Sequence, residues 1–134
     1  MKKIINFVII GCGHIGKRHM EMIYKNAQAN IVATCDIKDR SLLNIDSKFD
    51  VNHYSSIEEL LSSEENIDVA CICSPNGLHA SQSLQLLEHK VHVVCEKPMG
   101  LTKQECETLI FKALNVSKQV FCVMQNRYSP PSEW

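Results

Sequence analysis

Three short motifs hold the residue types best suited to chemistry. Gly11-Cys12-Gly13-His14-Ile15-Gly16 follows directly on Val8-Ile9-Ile10, so a Gly-x-Gly-x-x-Gly turn closes an apolar, strand-like run. In such a turn Gly11 permits the change of direction and Gly13 lets the backbone approach a pyrophosphate. Gly16 lets the following helix pack close to the strand. The helix start then offers free amide donors and the positive end of its dipole to phosphate. Asp36 closes the next apolar run, twenty residues after Gly16. A carboxylate there accepts from both hydroxyls of an adenosine ribose and repels a 2′-phosphate. The pattern reads as a site for NAD in preference to NADP, although Lys38 and Arg40 lie near enough in sequence to serve a phosphate. Plainer readings are a structural glycine turn and a solvated Asp. A methyltransferase using S-adenosylmethionine also fits a glycine-rich turn and an acid, but the third glycine and a later lysine motif count against it.

That later motif is Glu96-Lys97-Pro98, at the end of another apolar run. Pro98 biases Lys97 away from helical geometry and toward an extended backbone aimed at a crevice. An ammonium there can hydrogen-bond a substrate hydroxyl and stabilise negative charge as the proton leaves. Position alone leaves this open against an ordinary exposed lysine.

The elements that must position these motifs alternate along the chain. Strands are expected at Ile4–Ile10, Ile31–Asp36, Val51–Tyr54, Ile67–Cys73, Val91–Cys95 and Val120–Gln125. Helices are expected at His14–Asn26, Arg40–Lys48, Ile57–Ser63, Leu78–His89 and Lys103–Val116. Most of the strands are near-continuous Val/Ile/Cys runs, as in parallel strands covered on both faces. Ser56-x-x-Glu59 and Thr102-x-x-Glu105 have capping-box spacing. The expected fold is a single α/β domain, a doubly wound parallel sheet of Rossmann type with right-handed crossovers. Ligands of such sheets bind beyond the carboxyl ends of the strands. Gly11, Asp36, Ser74 and Lys97 all fall there.

Bulk properties bound the answer further. With 134 residues the chain is one domain's worth. A net charge of −1 gives no electrostatic reason to bind nucleic acid or an acidic membrane surface, and no apolar run is long enough to span a bilayer. The seven cysteines lack a Cys-x-x-Cys, and the six histidines do not pair with them at zinc spacing, so no metal site is expected. Small buried hydrophobes in a reducing cytoplasm explain the thiols better than disulfides. Tyr128-Ser129-Pro130-Pro131-Ser132-Glu133-Trp134 reads as a turn and the start of a further element. The expectation is therefore a cofactor domain over residues 1–126 and a connection over 127–134 leading to a domain that this sequence does not contain.

Taken together, Gly11-Cys12-Gly13-His14-Ile15-Gly16-x-x-His19, Ser74-Pro75-Asn76-x-Leu78-His79 and Glu96-Lys97-Pro98 resemble the N-terminal half of the Gfo/Idh/MocA oxidoreductases. The resemblance implies an NAD-dependent sugar oxidoreductase in which Gly11, Gly13, His14 and Ile15 line the pyrophosphate and Asp36 the adenosine ribose. It implies that Ser74, Asn76 and His79 flank the middle of the cofactor. Glu96 and Lys97 would sit by the nicotinamide, with Lys97 catalytic and the Lys97–Pro98 bond a candidate for the cis form. Gln125-Asn126-Arg127-Tyr128 resembles the handover to the substrate domain, with Gln125 at the cofactor.

Val123–Tyr128 and Ser74–His79 are further similar to nucleotide-sugar dehydrogenases that oxidise carbon 3 of UDP-N-acetyl-glucosaminuronic acid in bacterial surface-polysaccharide synthesis. Dehydrogenases of inositol or a free sugar, and a non-catalytic NAD-sensing module, stand as alternatives. By the same resemblance the absent domain supplies a His as general base, faces the sugar or nucleotide-sugar substrate and supports homo-oligomers. His19 is read as packing on the first helix, and His53, His89 and His92 as strand-edge or surface residues.

Overall fold

The computed structural model describes residues 3–123. The alternation seen in the sequence resolves into six strands and four α-helices. They run β1 (Ile5–Ile10), α1 (His14–Tyr24), β2 (Ala29–Cys35), β3 (Asn52–Tyr54), α2 (Ile57–Ser63), β4 (Val69–Ile72), α3 (His79–Glu88), β5 (His92–Cys95), α4 (Lys103–Val116) and β6 (Val120–Cys122). The strands form one parallel sheet in the order β3-β2-β1-β4-β5-β6. The order reverses at β1, so the crevice between the loops after β1 and β4 is the topological switch point where such sheets bind ligands.

Strand periodicity divides the apolar residues between two cores. Val8 and Ile10 of β1, Ala70 and Ile72 of β4, and Val93 and Cys95 of β5 face α2, α3 and α4. They pack there with Leu60, Leu86, Leu87 and Leu109. Ile9 and Cys71 point the other way, to Met20 and Ile23 of α1 and to Phe49. Three helices thus cover one face and one α-helix the other.

Both expected hydroxyl caps are present, while the Glu59 and Glu105 carboxylates accept from Ser55 N and Leu101 N, one residue before each cap. Glu59 N donates to Ser56 Oγ at 3.1 Å and Glu105 N to Thr102 Oγ1 at 3.1 Å, which satisfies an otherwise unpaired amide at each start. Helix α4 ends on Ser117 in the left-handed region (φ 57°). Lys118 N donates back to Ala113 O there, closing the last turn.

The helix expected over Arg40–Lys48 does not form; a single 3-10 turn, Arg40–Leu42, stands in its place. Side chains compete with the helix for its backbone amides. Asp39 accepts from Ser41 N, and Asp46 accepts from Lys48 N. Asn44 sits at φ 53°, which a continuing helix forbids. The remaining elements match expectation to within two residues at most ends. The last strand is shorter, closing at Cys122, and Gln125 and the boundary expected after residue 126 lie outside the described residues.

Cys12, Cys35, Cys71 and Cys95 are buried among apolar neighbours, as expected of small hydrophobes. Burial pushes the thiols of Cys12, Cys35 and Cys71 up to about 12, that of Cys95 to about 11, and that of Cys73 higher still. They are protonated and unreactive at neutral pH. Among the described residues no helix is long and apolar enough to cross a membrane.

One carboxylate ties the start of the sheet together. Asn6 N donates to Asp68 Oδ2 at 2.8 Å, and Lys3 Nζ lies 3.4 Å from Oδ1. The backbone bond, with help from Lys3, holds the Asp68 carboxyl below its usual value. A depressed folded value means the stabilisation is complete above the ordinary Asp value of about 3.9 and is lost as pH falls through the folded one. The urea midpoint is expected to fall with pH below about 4. Asp68→Asn should start from a lower midpoint at pH 7 and lose less of it on acidification; an identical pH dependence in the two proteins would remove Asp68 from the account.

Candidate functional site

The site is built on the turn between β1 and α1. Gly11 adopts φ +89°, and a Cβ on it would lie 2.6 Å from Ser74 N. A Cβ on Gly16 would lie 2.0 Å from Gly11 O. The turn is therefore pressed against the loop after β4 on one side and against its own helix on the other, and only glycine fits at either point. Gly13 differs: a Cβ there would meet nothing within 4 Å. It caps α1 without any side-chain hydrogen bond, and the first turn carries no acid. The helix start thus presents unpaired amides to open space, the arrangement that receives a phosphate.

Asp36 is fixed by that same turn. Cys12 N donates to its Oδ2 at 2.8 Å, and Lys38 N donates to Oδ1 at 2.9 Å. Each oxygen keeps a second lone pair for a hydroxyl. A cavity of about 300 Å³ opens beside it, lined by Gly11, Asp36, Ile37, Ser74, Pro75 and Leu78 among others. Arg40 does not serve a 2′-phosphate here. Its guanidinium donates to Phe49 O at 2.6 Å and lines no part of the cavity.

A second cavity, about 270 Å³, is lined by Ile15, Cys73, Ser74, Asn76, His79, Glu96 and Lys97. Six of these seven are residues that the sequence singles out. Lys97 is exposed, and its amine makes no hydrogen bond or ion pair with the described residues. The Lys97–Pro98 bond is cis. His14 is exposed on the first turn of α1 and lines neither cavity.

The histidines make tertiary contacts that the sequence does not show. His79, expected beside the cofactor, is 1% exposed, with Nε2 at 2.6 Å from Ser74 O and Nδ1 at 2.7 Å from Pro98 O. Its ring is committed to holding the loops after β4 and β5 together, so it shapes the cavity from within. His19, expected merely to pack on α1, places Nε2 at 2.7 Å from Glu96 Oε2 and so links the phosphate-binding helix to the Glu96-Lys97 loop. His53 is half-buried, between Thr34 Oγ1 at 2.8 Å and Lys38 O at 3.0 Å. Sequence spacing gives no sign of these pairings, because each partner lies on a different element.

Gln82, Gln85 and Glu58 are also part of the first cavity and carry no motif. Ser74 Oγ donates to Gln82 Oε1, and Gln85 Nε2 donates to Glu58 Oε1 at 2.9 Å. The cavity therefore combines these polar side chains with the apolar Ile37, Pro75 and Leu78.

The residues present fit a dinucleotide: glycine where backbone must yield, an open helix start, and an oriented carboxylate. Comparison with known proteins agrees. Residues 5–124 match the oxidoreductase family with an NAD-binding Rossmann fold, Gfo/Idh/MocA. Glucose-6-phosphate 3-dehydrogenase of Bacillus subtilis is 30% identical over 128 residues, which is 96% of this chain and 35% of that protein. Myo-inositol 2-dehydrogenase of Thermotoga maritima is 26% identical over 121 residues, covering 90% and 36%.

Among solved structures, the WlbA dehydrogenase of Chromobacterium violaceum, in complex with NADH and UDP-GlcNAcA, superposes with a TM-score of 0.89 at 28% identity. That match covers 99% of this chain and 38% of that one. The WlbA dehydrogenase of Bordetella pertussis, with the same two ligands, gives 0.89 at 26%, covering 98% and 40%. The chain spans about a third of the length of the curated relatives it matches. It belongs to the Gfo/Idh/MocA oxidoreductase family and forms that family's NAD-binding Rossmann domain.

Proposed function

We propose that this chain holds the cofactor of an NAD-dependent sugar dehydrogenase, and that the substrate is a nucleotide sugar of the UDP-N-acetyl-glucosaminuronic acid type, oxidised at carbon 3. The observation that carries the reading is that two cavities, one on each side of the switch point, share Ser74 as a lining residue. One contains Asp36 and the other Lys97, so a molecule with a ribose at one end and a reactive ring at the other can lie across the switch point. The choice of sugar rests on the likeness to the two WlbA dehydrogenases and is the finer part of the proposal.

Gly11, Gly13, His14 and Ile15 bring the α1 amides to the pyrophosphate, and Asp36 accepts from the adenosine ribose. Ser74 and Asn76 flank the middle of the cofactor, and His79 holds their loop in place. Glu96 stands by the nicotinamide end, held by His19, and Gln125 is assigned to the same end. Bound there, NAD would supply the hydride acceptor for the sugar carbinol carbon. Lys97 donates a hydrogen bond to the substrate hydroxyl and offsets charge as that proton departs to a base. We assign the base, the sugar contacts and self-association to a second domain following residue 126, and the connection to residues 127–134. Buried, protonated thiols support a reducing, cytoplasmic setting.

Calorimetric titration of the chain should show NAD binding. Gly13→Ala should leave the urea midpoint nearly unchanged yet weaken NAD by roughly tenfold or more, since the new methyl enters the space left for phosphate. Gly16→Ala should instead cost stability, about 3 kcal/mol, because its methyl meets backbone. Unchanged NAD affinity in Gly13→Ala would sink the pyrophosphate assignment. Asp36→Asn is expected to weaken NAD by roughly ten- to a hundredfold, the worth of charge-assisted hydrogen bonds. In a protein that carries the substrate domain, Lys97→Ala should lower kcat by about a hundredfold with NAD affinity little changed. Full turnover in that variant would remove the catalytic role.

A further inference from the structure

We propose that Glu58, oriented by Gln85, selects the base of the dinucleotide, accepting a hydrogen bond from a 6-amino purine and rejecting a 6-oxo purine. The inference rests on reading the Asp36 cavity as the adenosine end of the cofactor site, and adds to it a discriminating group that no motif marks.

The shape of the cavity comes first. Ile37, Pro75 and Leu78 line it, and Ile37 is 90% exposed while Leu78 is 44% exposed. Exposed apolar side chains from the loops after β2 and β4 suit the two faces of a flat ring. The polar residues on the same cavity then decide which ring. Glu58, from the first turn of α2, and Gln85, from the middle of α3, are joined by the Gln85 Nε2 to Glu58 Oε1 bond of 2.9 Å.

A carboxylate can only accept, so it fixes the amide with its NH2 toward Glu58. Its own backbone N–H, and then the Gln85 amide, hold the Glu58 carboxyl below the usual range, so it is ionised at neutral pH. Gln82 complements it. Its carbonyl oxygen is taken by Ser74 Oγ, which leaves its NH2 as the donating end. The cavity thus combines a fixed anionic acceptor with amide donors. A 6-aminopurine offers the complement, an amine N–H beside ring-nitrogen acceptors. A 6-oxo purine sets a carbonyl oxygen against the carboxylate and turns N1 from an acceptor into an N–H donor, so the 6-amino bond to Glu58 is lost and the amide donors lose the N1 acceptor.

The test is titration of the chain with NAD and with nicotinamide hypoxanthine dinucleotide, which differ in amino against oxo at position 6 and in the proton that the oxo form carries on N1. Wild type is expected to favour NAD by about tenfold or more, the worth of one charge-assisted hydrogen bond. Glu58→Gln replaces one carboxylate oxygen by an NH2 able to donate to the 6-oxo group. It should bring the ratio close to one, mainly by tightening the hypoxanthine dinucleotide. Gln85→Leu frees the Glu58 carboxylate and should shrink the ratio while NAD still binds. Both residues sit on helix surfaces rather than in the cores, and the ratio of two ligands on one protein is insensitive to a general loss of stability. A wild-type ratio near one, or a ratio that Glu58→Gln leaves unchanged, overturns the proposal while the NAD site stands. If wild type bound neither dinucleotide, the reading of the cavity would fall and this inference with it.

Discussion

The structure depends on one steric constraint, the contact of the β1–α1 turn with the backbone around it. Gly11 lies against the backbone of Ser74, and Gly16 against the carbonyl of Gly11. With no Cβ at either point, three chain segments come within van der Waals distance of one another: the end of β1, the start of α1 and the loop after β4. Parallel strands alone would bring these loops to the same edge of the sheet but leave them separated by side chains. The glycine contacts close that gap, and the cleft lies along the seam.

Polar ties then set the shape of the cleft. Asp36 caps the amides of Cys12 and Lys38, so the carboxylate is oriented before any ligand arrives. His79 joins the loops after β4 and β5, and His19 reaches from α1 to Glu96. The bonds of Asp36 to Cys12, His79 to Pro98 and His19 to Glu96 link segments far apart in sequence, and the set leaves little rotamer freedom to be lost on binding. That preorganisation lowers the entropy cost of holding a dinucleotide. Lys97 is the exception, exposed and without a partner among the described residues.

Much of this is legible in the sequence because the signals are local. The glycine spacing, the apolar runs and the two hydroxyl caps each act within a few residues, and the corresponding elements are found in the structure. The Arg40–Lys48 segment shows the limit of that approach. Its composition permits a helix, but Asp39 and Asp46 bond to nearby amides and Arg40 reaches Phe49 O, which together favour a looped course. His19, Glu58, Gln82 and Gln85 are invisible to sequence reading for a different reason. Their chemistry comes from partners on other elements, and nothing in their neighbours along the chain announces the pairing. His79 was visible as a residue but not as a clamp, since burial of its ring is a tertiary fact.

That clamp has a consequence for how such a domain can change over evolutionary time. A single imidazole is wedged between the carbonyls of Ser74 and Pro98, so a substitution that moves either loop disturbs the other through the shared ring. Variation in the two loops is therefore epistatic: they diverge as a coupled pair or scarcely at all. The readily evolvable positions around the cleft are those outside the coupling, such as the exposed Ile37. A side chain can change there without the loops after β4 and β5 having to change with it.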